Sequence, residues 1–345
     1  MLKILYSEAC LEHMPPYPHP ERPERLRVAL STLEEWRLAE EIEEPPSANI
    51  SDLLIVHDRD YVSRVERLVL RAPIMIDYDT YVSPGTMRAA LKAAGASLEA
   101  AKMLSEREQL ILTLPRPPGH HAGRRGRAMG ALTQGFCIFN NAALAVARLL
   151  ELGFRRVAII DFDSHHGNGT QEIFYSEPRV LHVDVHEDPA TLYPGTGFPT
   201  DIGSGEGEGT KINVILPPGS RDDVYSMVIE EVIVPLLSNY KPEVVVYSAG
   251  FDSYDGDGLS HLKAREHTYV ELARIPEELG VRKVLAILEG GYSVGLERGL
   301  PAFISSLVGR ELSPGEKFSS KEPVSRLARE YINELKGILR RYWDL

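Results

Sequence analysis

The sequence predicts an α/β protein in which a mainly parallel sheet is covered by helices on both faces. Two observations support this: seven apolar runs rich in β-branched residues recur along the chain, and segments of helical character lie between them. Strands that are apolar throughout are typical of parallel sheets buried on both faces. The runs are LKILY (2–6), LILTL (110–114), VAIID (157–161), VLHVDV (180–185), INVIL (212–216), VVVYSAG (244–250) and VLAILEGG (near 283–290).

Three of the intervening segments predict helices. MRAALKAAGASLEAAKML (87–104) has Ala, Leu and Met at helical spacing. NNAALAVARLLELG (140–153) ends in Gly153, which suits a helix C-cap. DDVYSMVIEEVIVPLLSNY (222–240) begins with acidic residues and contains Pro235, which should bend or break the helix.

Loop composition favours a single domain over residues 1–345. PPSA (45–48) and PGTGFPTDIGSGEGEGT (194–210) have the composition of loops, but neither resembles a domain linker. α/β chains of this length often form one unit, and the chain is long enough to bury a large core.

The composition excludes several classes of protein. The chain has 345 residues, of which 43% are apolar and 26% charged, as in an ordinary globular protein. A formal net charge of −12 argues against a nucleic-acid binder and is compatible with a cationic substrate, although solubility is the simpler explanation. Cys10 and Cys137 are far apart and outside any C-x-x-C spacing, which excludes a disulfide framework and favours a reducing compartment.

No targeting or membrane segment is predicted. MLKILYSEAC, at the N-terminus, turns polar too soon for a signal peptide. No stretch reaches the roughly 20 apolar residues that a membrane span needs. We therefore expect a cytoplasmic location.

Polar clusters follow four of the predicted strands. They are PRPPGHHAG after LILTL, DFDSHHGNG after VAII, AGFDSYDGDG after VVVYS, and EGGYS after VLAIL. Ligands of parallel α/β sheets bind just beyond the carboxyl ends of the strands, so the four clusters should converge on one rim.

The cluster DFDSHHGNG has the residues of a metal site. In an extended strand Asp161, Asp163 and His165 would share one face, and a cation would offset the cost of carboxylates in an apolar setting. We predict that Asp163 and His165 bind the metal and that Asp252 of SAGFD is the third ligand, leaving one position for water. The spacing alone leaves open a metal-free hydrogen-bond network, and it also suits Fe(II) or Mn(II).

The cluster GHHAG predicts an acid–base pair. Adjacent histidines rarely bind the same ion, so we expect one of His120 and His121 to act as general base and the other as electrostatic support or proton donor. Such histidines need a partner on the second ring nitrogen, for which Asp161 and Asn168 are available.

The segment EGGYS predicts a hydroxyl donor at the same rim. Taken alone, Tyr292 would be a packed aromatic residue. Beside a metal, its hydroxyl could donate to a developing oxyanion, and the two preceding glycines would allow close approach.

These residues together resemble the histone deacetylase family. RPPGHHAG, QGFCIFNN, DFDSHHGNGTQ, LYPGTG, SAGFD and LEGGY occur in the family's order, and PHPERPERL (18–26) and DYDTYVSPGT (77–86) are similar to its N-terminal signatures. The resemblance runs from about residue 6 to about residue 300. HHGNGTQ is more similar to the class II and prokaryotic branch, which includes acetylpolyamine amidohydrolases and acetoin-utilisation proteins, than to animal class I enzymes.

The resemblance implies a fold and a set of functional residues. The fold is the arginase-deacetylase α/β/α sandwich of three layers around a mainly parallel sheet. One catalytic zinc ion is implied, and arginases differ by using two metals with a D-A-H-x-D motif that is absent here. The implied catalytic residues are His120, His121, Asp161, Asn168 and Tyr292; the implied zinc ligands are Asp163, His165 and Asp252; the implied substrate-binding residues are Asp79, Phe136, Tyr193 and Gly290.

Three positions depart from the family's pattern. Asn168 stands behind His121, where animal class I enzymes have an acid. Ser164 replaces a bulkier apolar residue, and Asp184 stands where many relatives have a hydroxyl residue beside a structural potassium ion. A potassium site built from carbonyls between Asp161 and His165 is therefore an expectation that Asp184 places in question.

The resulting hypothesis is hydrolysis of an N-acetyl group from an amine by metal-activated water, with histidine acid–base catalysis and Tyr292 stabilising the oxyanion. The substrate is acetyl-lysine in a protein or peptide, or else an acetylated polyamine or other small molecule. A third alternative is a non-catalytic sensor of acyl ligands. Binding to nucleic acid or membrane is not expected, and self-association into a homo-oligomer stays open.

Overall fold

The computed structural model describes residues 2–310 and 315–345, and a parallel sheet lies at the centre of this part of the chain. Its strands are β1 (Leu2–Leu5), β2 (Ile42–Glu43), β5 (Gln109–Thr113), β6 (Val157–Asp161), β7 (Val180–Glu187), β8 (Lys211–Leu216), β9 (Val244–Ala249) and β10 (Lys283–Leu288), with a separate antiparallel hairpin of β3 (Ile74–Met75) and β4 (Tyr81–Val82). The order across the sheet is β2–β1–β5–β10–β9–β6–β7–β8, and every neighbouring pair is parallel.

Helices cover both faces of this sheet, so the predicted three-layer α/β/α sandwich is confirmed. They are α1 (Glu24–Glu35), α2 (Ile50–Leu53), α3 (Arg59–Val69), α4 (Thr86–Glu106), α5 (Asn141–Glu151), α6 (Asn168–Ile173), α7 (Asp222–Val228), α8 (Val234–Tyr240), α9 (Glu266–Glu278), α10 (Leu300–Leu307) and α11 (Glu322–Leu339). One apolar core contains residues of α3, α4 and α5, and the other contains residues of α1 and of α7 to α11. None of the described helices is long and apolar enough to span a bilayer.

The central strands are apolar throughout because their side chains enter two cores. In β6, Ala158 and Ile160 belong to one core, and Val157 and Ile159 belong to the other. All four are completely buried. The alternation of side chains along a strand therefore sends successive residues to opposite faces, both of them dry.

Each of the seven predicted strands is present, and the three predicted helices are present with small changes in their ends. Gly153 follows α5 with a φ of +98°, as a C-cap glycine does. The segment 222–240 is interrupted, as its proline suggested: a π-helical turn, Ile229–Ile233, separates α7 from α8, and Pro235 lies in the first turn of α8. The short β2 and the hairpin β3–β4 were not predicted.

The topology brings the four polar clusters together. β5, β10, β9 and β6 are consecutive neighbours in the sheet, although they are far apart in the chain. Each of these strands is followed by one of the clusters, so all four lie side by side at the carboxyl edge of the sheet.

Candidate active site

A pocket of about 250 Å³ opens at this edge of the sheet. The two predicted histidines, Tyr292 and all of the predicted substrate-binding residues line this pocket, together with two of the three predicted metal ligands. The lining residues named in the predictions are Asp79, His120, His121, Phe136, Asp163, His165, Tyr193, Gly290 and Tyr292.

Asp163, His165 and Asp252 meet at the floor of this pocket. One ligand atom of each lies within 4.8 Å of the other two. His165 Nδ1 is 3.0 Å from Asp163 Oδ1 and 2.9 Å from Asp252 Oδ2. Burial opposes ionisation of the imidazole, but the two carboxylates raise the pKa of His165 to about 10. The site therefore favours a positive charge between the two acids.

Backbone hydrogen bonds of the loop after β6 position these side chains. β6 ends at Asp161, so the strand alternation that was expected to continue to His165 is wrong beyond this residue. Instead, Asp163 N donates to Asp161 Oδ1 at 3.2 Å, and His165 N donates to Asp163 Oδ1 at 2.9 Å. Ser164 N donates to Asp252 Oδ1 at 2.9 Å and joins the loop to the end of β9. The three ligands converge because backbone N–H groups of the loop donate to the carboxylates of Asp161, Asp163 and Asp252.

The donor set fits a divalent cation. Asp252 Oδ2 is buried, and its 2.9 Å contact with His165 Nδ1 does not have hydrogen-bond geometry, so this oxygen lacks a donor among the described residues, although each buried carboxylate oxygen needs a partner. Two carboxylates and one imidazole are common ligands of zinc and of other divalent transition metals. Gly290 also preserves the space, because a Cβ atom at this position would collide with the carboxylates of Asp163 and Asp252.

His120 and Asp161 form a buried ion pair beside the three ligands. His120 Nδ1 lies 3.1 Å from Asp161 Oδ2, and His120 Nε2 lies 3.8 Å from Asp163 Oδ1. Burial disfavours the imidazolium, but Asp161 and Asp163 outweigh it and raise the pKa of His120 well above its usual value. His120 is therefore the histidine that retains a proton at neutral pH.

His121 has the opposite electrostatics. Burial, reinforced by the neighbouring charges of His120 and His165, lowers the pKa of His121 well below its usual value. Asn168 Nδ2 donates to Ala128 O at 3.0 Å, which turns Asn168 Oδ1 toward His121 Nδ1 at 2.8 Å. Since an amide oxygen only accepts, His121 Nδ1 carries the proton and Nε2 is left as an acceptor. The two adjacent histidines are thus set in different protonation states.

Tyr292 enters the pocket from the loop after β10, and two charged residues hold this loop. Asp257 accepts from Tyr292 N at 2.8 Å, and also from Ser293 N and Gly295 N. The guanidinium of Arg25 lies 4.7 Å from the centre of the Tyr292 ring, a cation–π distance. Neither Arg25 nor Asp257 was given a role from the sequence, although both lie inside quoted motifs.

Phe136 and Tyr193 form part of the pocket wall. Phe136 has a φ of +69°, an uncommon value for a bulky residue, and Phe136 N donates to Thr80 Oγ1 at 3.1 Å. Tyr193 OH donates to Thr133 O at 2.9 Å, and its ring lies 5.0 Å from that of His121. A side chain on Gly135 would collide with His121 and Tyr193, so a glycine is needed between these rings.

Asp79 lies at the rim of the same pocket, and hydrogen bonds fix its carboxylate. Its two oxygens accept from Thr80 Oγ1 at 2.8 Å and from Thr133 Oγ1 at 2.5 Å. Asp77, two residues earlier, accepts from Gln134 N at 2.9 Å. The turn between β3 and β4 is thereby joined to the segment that precedes Phe136.

A buried network behind the pocket was missed in the sequence. Arg116 makes a bidentate pair with Glu21, with bonds of 2.5 and 2.8 Å, and all of these charged atoms are buried. Glu289 Oε2 accepts from Gly119 N at 2.8 Å and from His120 N at 3.3 Å, so it holds the loop that carries both histidines. The only sequence signal was the presence of these charged residues within motifs that precede or follow buried strands.

A second group of buried ligand-type side chains lies behind His120. Asp161, His182 and Asp184 have ligand atoms within 4.8 Å of one another. Asp184 accepts from His186 Nδ1 at 2.6 Å and from Gly167 N at 2.8 Å. Burial and Asp184 act to raise the pKa of Asp161, and the charge of His120 acts to lower it.

The fold and this pocket define a member of the arginase-deacetylase class of α/β proteins, and the comparisons specify the family. The histone deacetylase domain model matches residues 19–307, so the chain belongs to the histone deacetylase family. Two archaeal proteins named "Probable deacetylase" are similar to it. That of Archaeoglobus fulgidus is 37% identical over 99% of this chain and 98% of its own length, and that of Methanothermobacter thermautotrophicus is 38% identical over 86% and 88%.

A solved structure agrees with this assignment. The crystal structure of the HDA15 HD domain superposes with a TM-score of 0.87 at 31% sequence identity. The superposition covers 99% of this chain and 95% of the chain in the crystal structure. By fold and family the chain is therefore a hydrolase of the deacetylase type. Its clusters of Asp and His side chains have the chemistry of metal ligands.

Proposed function

We propose that the chain is a zinc-dependent enzyme that hydrolyses N-acetyl groups from primary amines, with acetyl-lysine side chains as the main substrate class. The observation that supports this most strongly is the pair of adjacent histidines. The surroundings favour the charged form of His120 and the neutral form of His121, and both histidines line a narrow pocket whose floor holds the three ligand-type side chains. An acid and a base with separated pKa values are what general acid–base hydrolysis requires.

The metal would be held by Asp163, His165 and Asp252. When bound, a divalent metal supplies an acidified water and polarises the amide carbonyl. Zinc is our choice because three protein ligands with one open position are typical of catalytic zinc, and Fe(II) and Mn(II) are the alternatives.

His121 is the proposed general base. Its Nε2 makes no hydrogen bond with the described residues, and Asn168 holds the proton on the opposite nitrogen. A neutral imidazole with a free lone pair can take the proton of an attacking water. Asn168 orients this ring without adding a charge that would make the imidazolium more stable.

His120 is the proposed electrostatic support. With Asp161 at 3.1 Å it retains its proton and places a positive charge next to the reacting amide. As the C–N bond breaks, the leaving amine must take a proton from a histidine. The two rings lie side by side, with centres 4.0 Å apart, so either histidine could donate this proton.

Tyr292 is the proposed oxyanion donor. Its hydroxyl would donate to the oxygen that becomes negative when water adds to the amide. Arg25 and Asp257 act as positioning residues for Tyr292, because they hold the ring and the backbone of its loop.

The remaining predicted residues would bind the substrate. Phe136 and Tyr193 offer aromatic walls for an aliphatic stem, and Gly290 allows the stem to approach the ligands. Asp79 at the rim would accept a hydrogen bond from the substrate backbone, using lone pairs that its two threonine partners leave free.

Turnover of an acetyl-lysine peptide, with and without a chelator, tests the proposal. We expect turnover that chelation abolishes and Zn²⁺ restores. We also expect that His121→Ala abolishes turnover although the variant folds and keeps its metal. Binding of the peptide without any turnover would favour the acyl-ligand sensor. Faster turnover of acetylspermidine or acetylputrescine than of peptides would favour the small-molecule alternative. The single-domain boundary, the cytoplasmic location, the potassium ion and the oligomeric state remain predictions.

A further inference from the structure

An exposed basic surface, which we call the arginine patch, lies beside the pocket. It consists of Arg59, Arg64 and Arg67 on α3 and of Arg124, Arg125 and Arg127 in the loop after GHHAG, and all six are exposed. The whole chain carries a net charge of −12, so this concentration of one sign opposes the overall charge. Residues 58–67 and 124–127 contain three acids beside the six arginines, Asp58, Asp60 and Glu66, and Glu172 is a fourth acid at this loop because it accepts from Arg124 N at 3.1 Å.

Local acids leave most of the patch unneutralised. Within residues 2–310 and 315–345, Arg125 is the one member that pairs with a carboxylate, at 2.7 Å from Asp58. Arg127 instead donates to the carbonyl of Leu132, and Arg124 donates to that of Ile173 and lines a separate cavity with Glu151 and Glu177. A guanidinium has five N–H donors, so each keeps donors and its full charge for a partner.

Hydrogen bonds connect the patch to the rim of the pocket. Arg127 Nη1 donates to Leu132 O at 3.2 Å, and the next residue, Thr133, donates to Asp79 at 2.5 Å. Neighbouring Cα atoms are about 3.8 Å apart, so the Arg127 guanidinium lies within roughly 10 Å of the Asp79 carboxylate. On the other side, Asp58 N donates to Arg124 O at 2.8 Å, which joins the loop to the start of α3.

Two apolar side chains are exposed at the same rim. Tyr78, next to Asp79, is 96% exposed, and Leu132, next to Thr133, is 82% exposed. The carboxylates of Asp77 and Asp79 accept hydrogen bonds from neutral hydroxyl and amide groups, so the rim itself is acidic and the positive charge begins with the arginines beyond it. The mouth of the pocket therefore offers apolar contacts, with arginines beyond them, to a substrate long enough to pass the rim, as a polypeptide is.

We infer that the preferred substrate is acyl-lysine within a polypeptide that carries acidic residues two to four positions from the lysine. This inference rests on the proposed function and names the substrate class for the same pocket. An extended peptide advances about 3.3 Å per residue, so an acid two to four positions away reaches the distance of Arg127 from the rim. Strongly basic tails that extend past the rim to the arginine patch would meet charge of their own sign.

Peptide pairs test this. Two acetyl-lysine peptides of equal length, one with Glu and one with Lys at positions −4 to −2 and +2 to +4, are compared by kcat/KM with a capped N-acetyl-lysine amide as reference. Exposed charge contacts are individually weak, so we expect roughly a fivefold preference for the acidic peptide at low salt. The preference should approach unity at high ionic strength because the contacts are screened.

Charge reversal at the patch supplies the second arm. Arg127→Glu, at the arginine that is bonded to the rim segment, should abolish or invert the ratio between the two peptides. The matched control is Arg326→Glu on α11, an exposed arginine outside the patch, which should leave the ratio unchanged.

The outcomes separate the two claims. Turnover of the capped amide with equal rates for both peptides, or with preference for the basic one, would overturn the inference and leave the proposed function intact. Turnover of no acetylated amine would reject both. Equal peptide rates together with binding of a single-stranded RNA oligonucleotide that Arg127→Glu weakens would reassign the patch to nucleic acid and also overturn the inference.

Discussion

Replacing Arg25 by methionine should damage the pocket although Arg25 does not line it. Arg25 Nε donates to Gly291 O at 2.7 Å, Nη2 donates to Glu289 O, and Nη1 lies 3.2 Å from Glu21 Oε1. The same guanidinium packs on the Tyr292 ring. Methionine fills a similar volume but offers none of these donors.

The cost of this change follows from burial. The Arg25 side chain is 1% exposed, so water cannot replace the lost donors at the two carbonyls. Leaving buried acceptors unsatisfied costs about 1–3 kcal/mol each, and Glu21 keeps both bonds to Arg116, so we expect a loss of roughly 3–5 kcal/mol in the free energy of unfolding. Because a displacement of about 1 Å can cost on the order of a hundredfold in rate, kcat should fall by about one to two orders of magnitude.

Urea denaturation and steady-state kinetics measure the two effects. The matched control is Arg27→Met on the same helix, where the arginine is exposed and, among the described residues, pairs with Glu24 alone, so stability should change by less than about 0.5 kcal/mol. Arg25→Lys keeps the charge but not the fork of donors and should recover only part of kcat. A folded Arg25→Met variant with the kcat of the unmodified chain would refute the positioning role.

Three further changes test other parts of the site. Tyr292→Phe should lower kcat on the order of a hundred- to thousandfold while metal content is retained, and near-normal turnover would remove the tyrosine from the mechanism. Gly290→Ala should lower metal affinity, measured by competition with a chromogenic chelator, because its Cβ would collide with two ligand carboxylates; unchanged affinity would contradict the close packing there. Burial would raise the pKa of Glu21, but Arg116 lowers it below its usual value, so its stabilising effect is present above pH 4.5, the unfolded value, and is lost as the pH falls. Glu21→Gln should therefore destabilise the chain at neutral pH by about 3–5 kcal/mol, and in urea titrations the difference should shrink below pH 4.5; a difference independent of pH would contradict the pairing.

The strands and the rim of the site could be predicted because their signals are local. A run such as VAIID must be buried on both faces, and polar residues directly after it can lie only at the carboxyl edge of the sheet. The convergence of Asp163, His165 and Asp252 follows from those two facts once β6 and β9 are neighbours.

The supporting network could not be predicted because its partners are distant in sequence. Arg116 and Glu21 are 95 residues apart, and Arg25 is 266 residues from Gly291. An isolated arginine or glutamate in a motif carries no sign that it is buried, since most such residues are exposed. The edge strand β2 was missed for a related reason: both of its residues are exposed and have no apolar pattern.

Elemental analysis of the purified, folded chain tests the proposed metal centre most directly. We predict a single divalent transition ion per chain, removed by chelation and taken up again on addition of Zn²⁺, and lost in Asp252→Ala while circular dichroism shows the fold retained. A folded chain that holds no such ion and takes none up when it is supplied, yet still hydrolyses acetyl-lysine, would contradict the proposed centre.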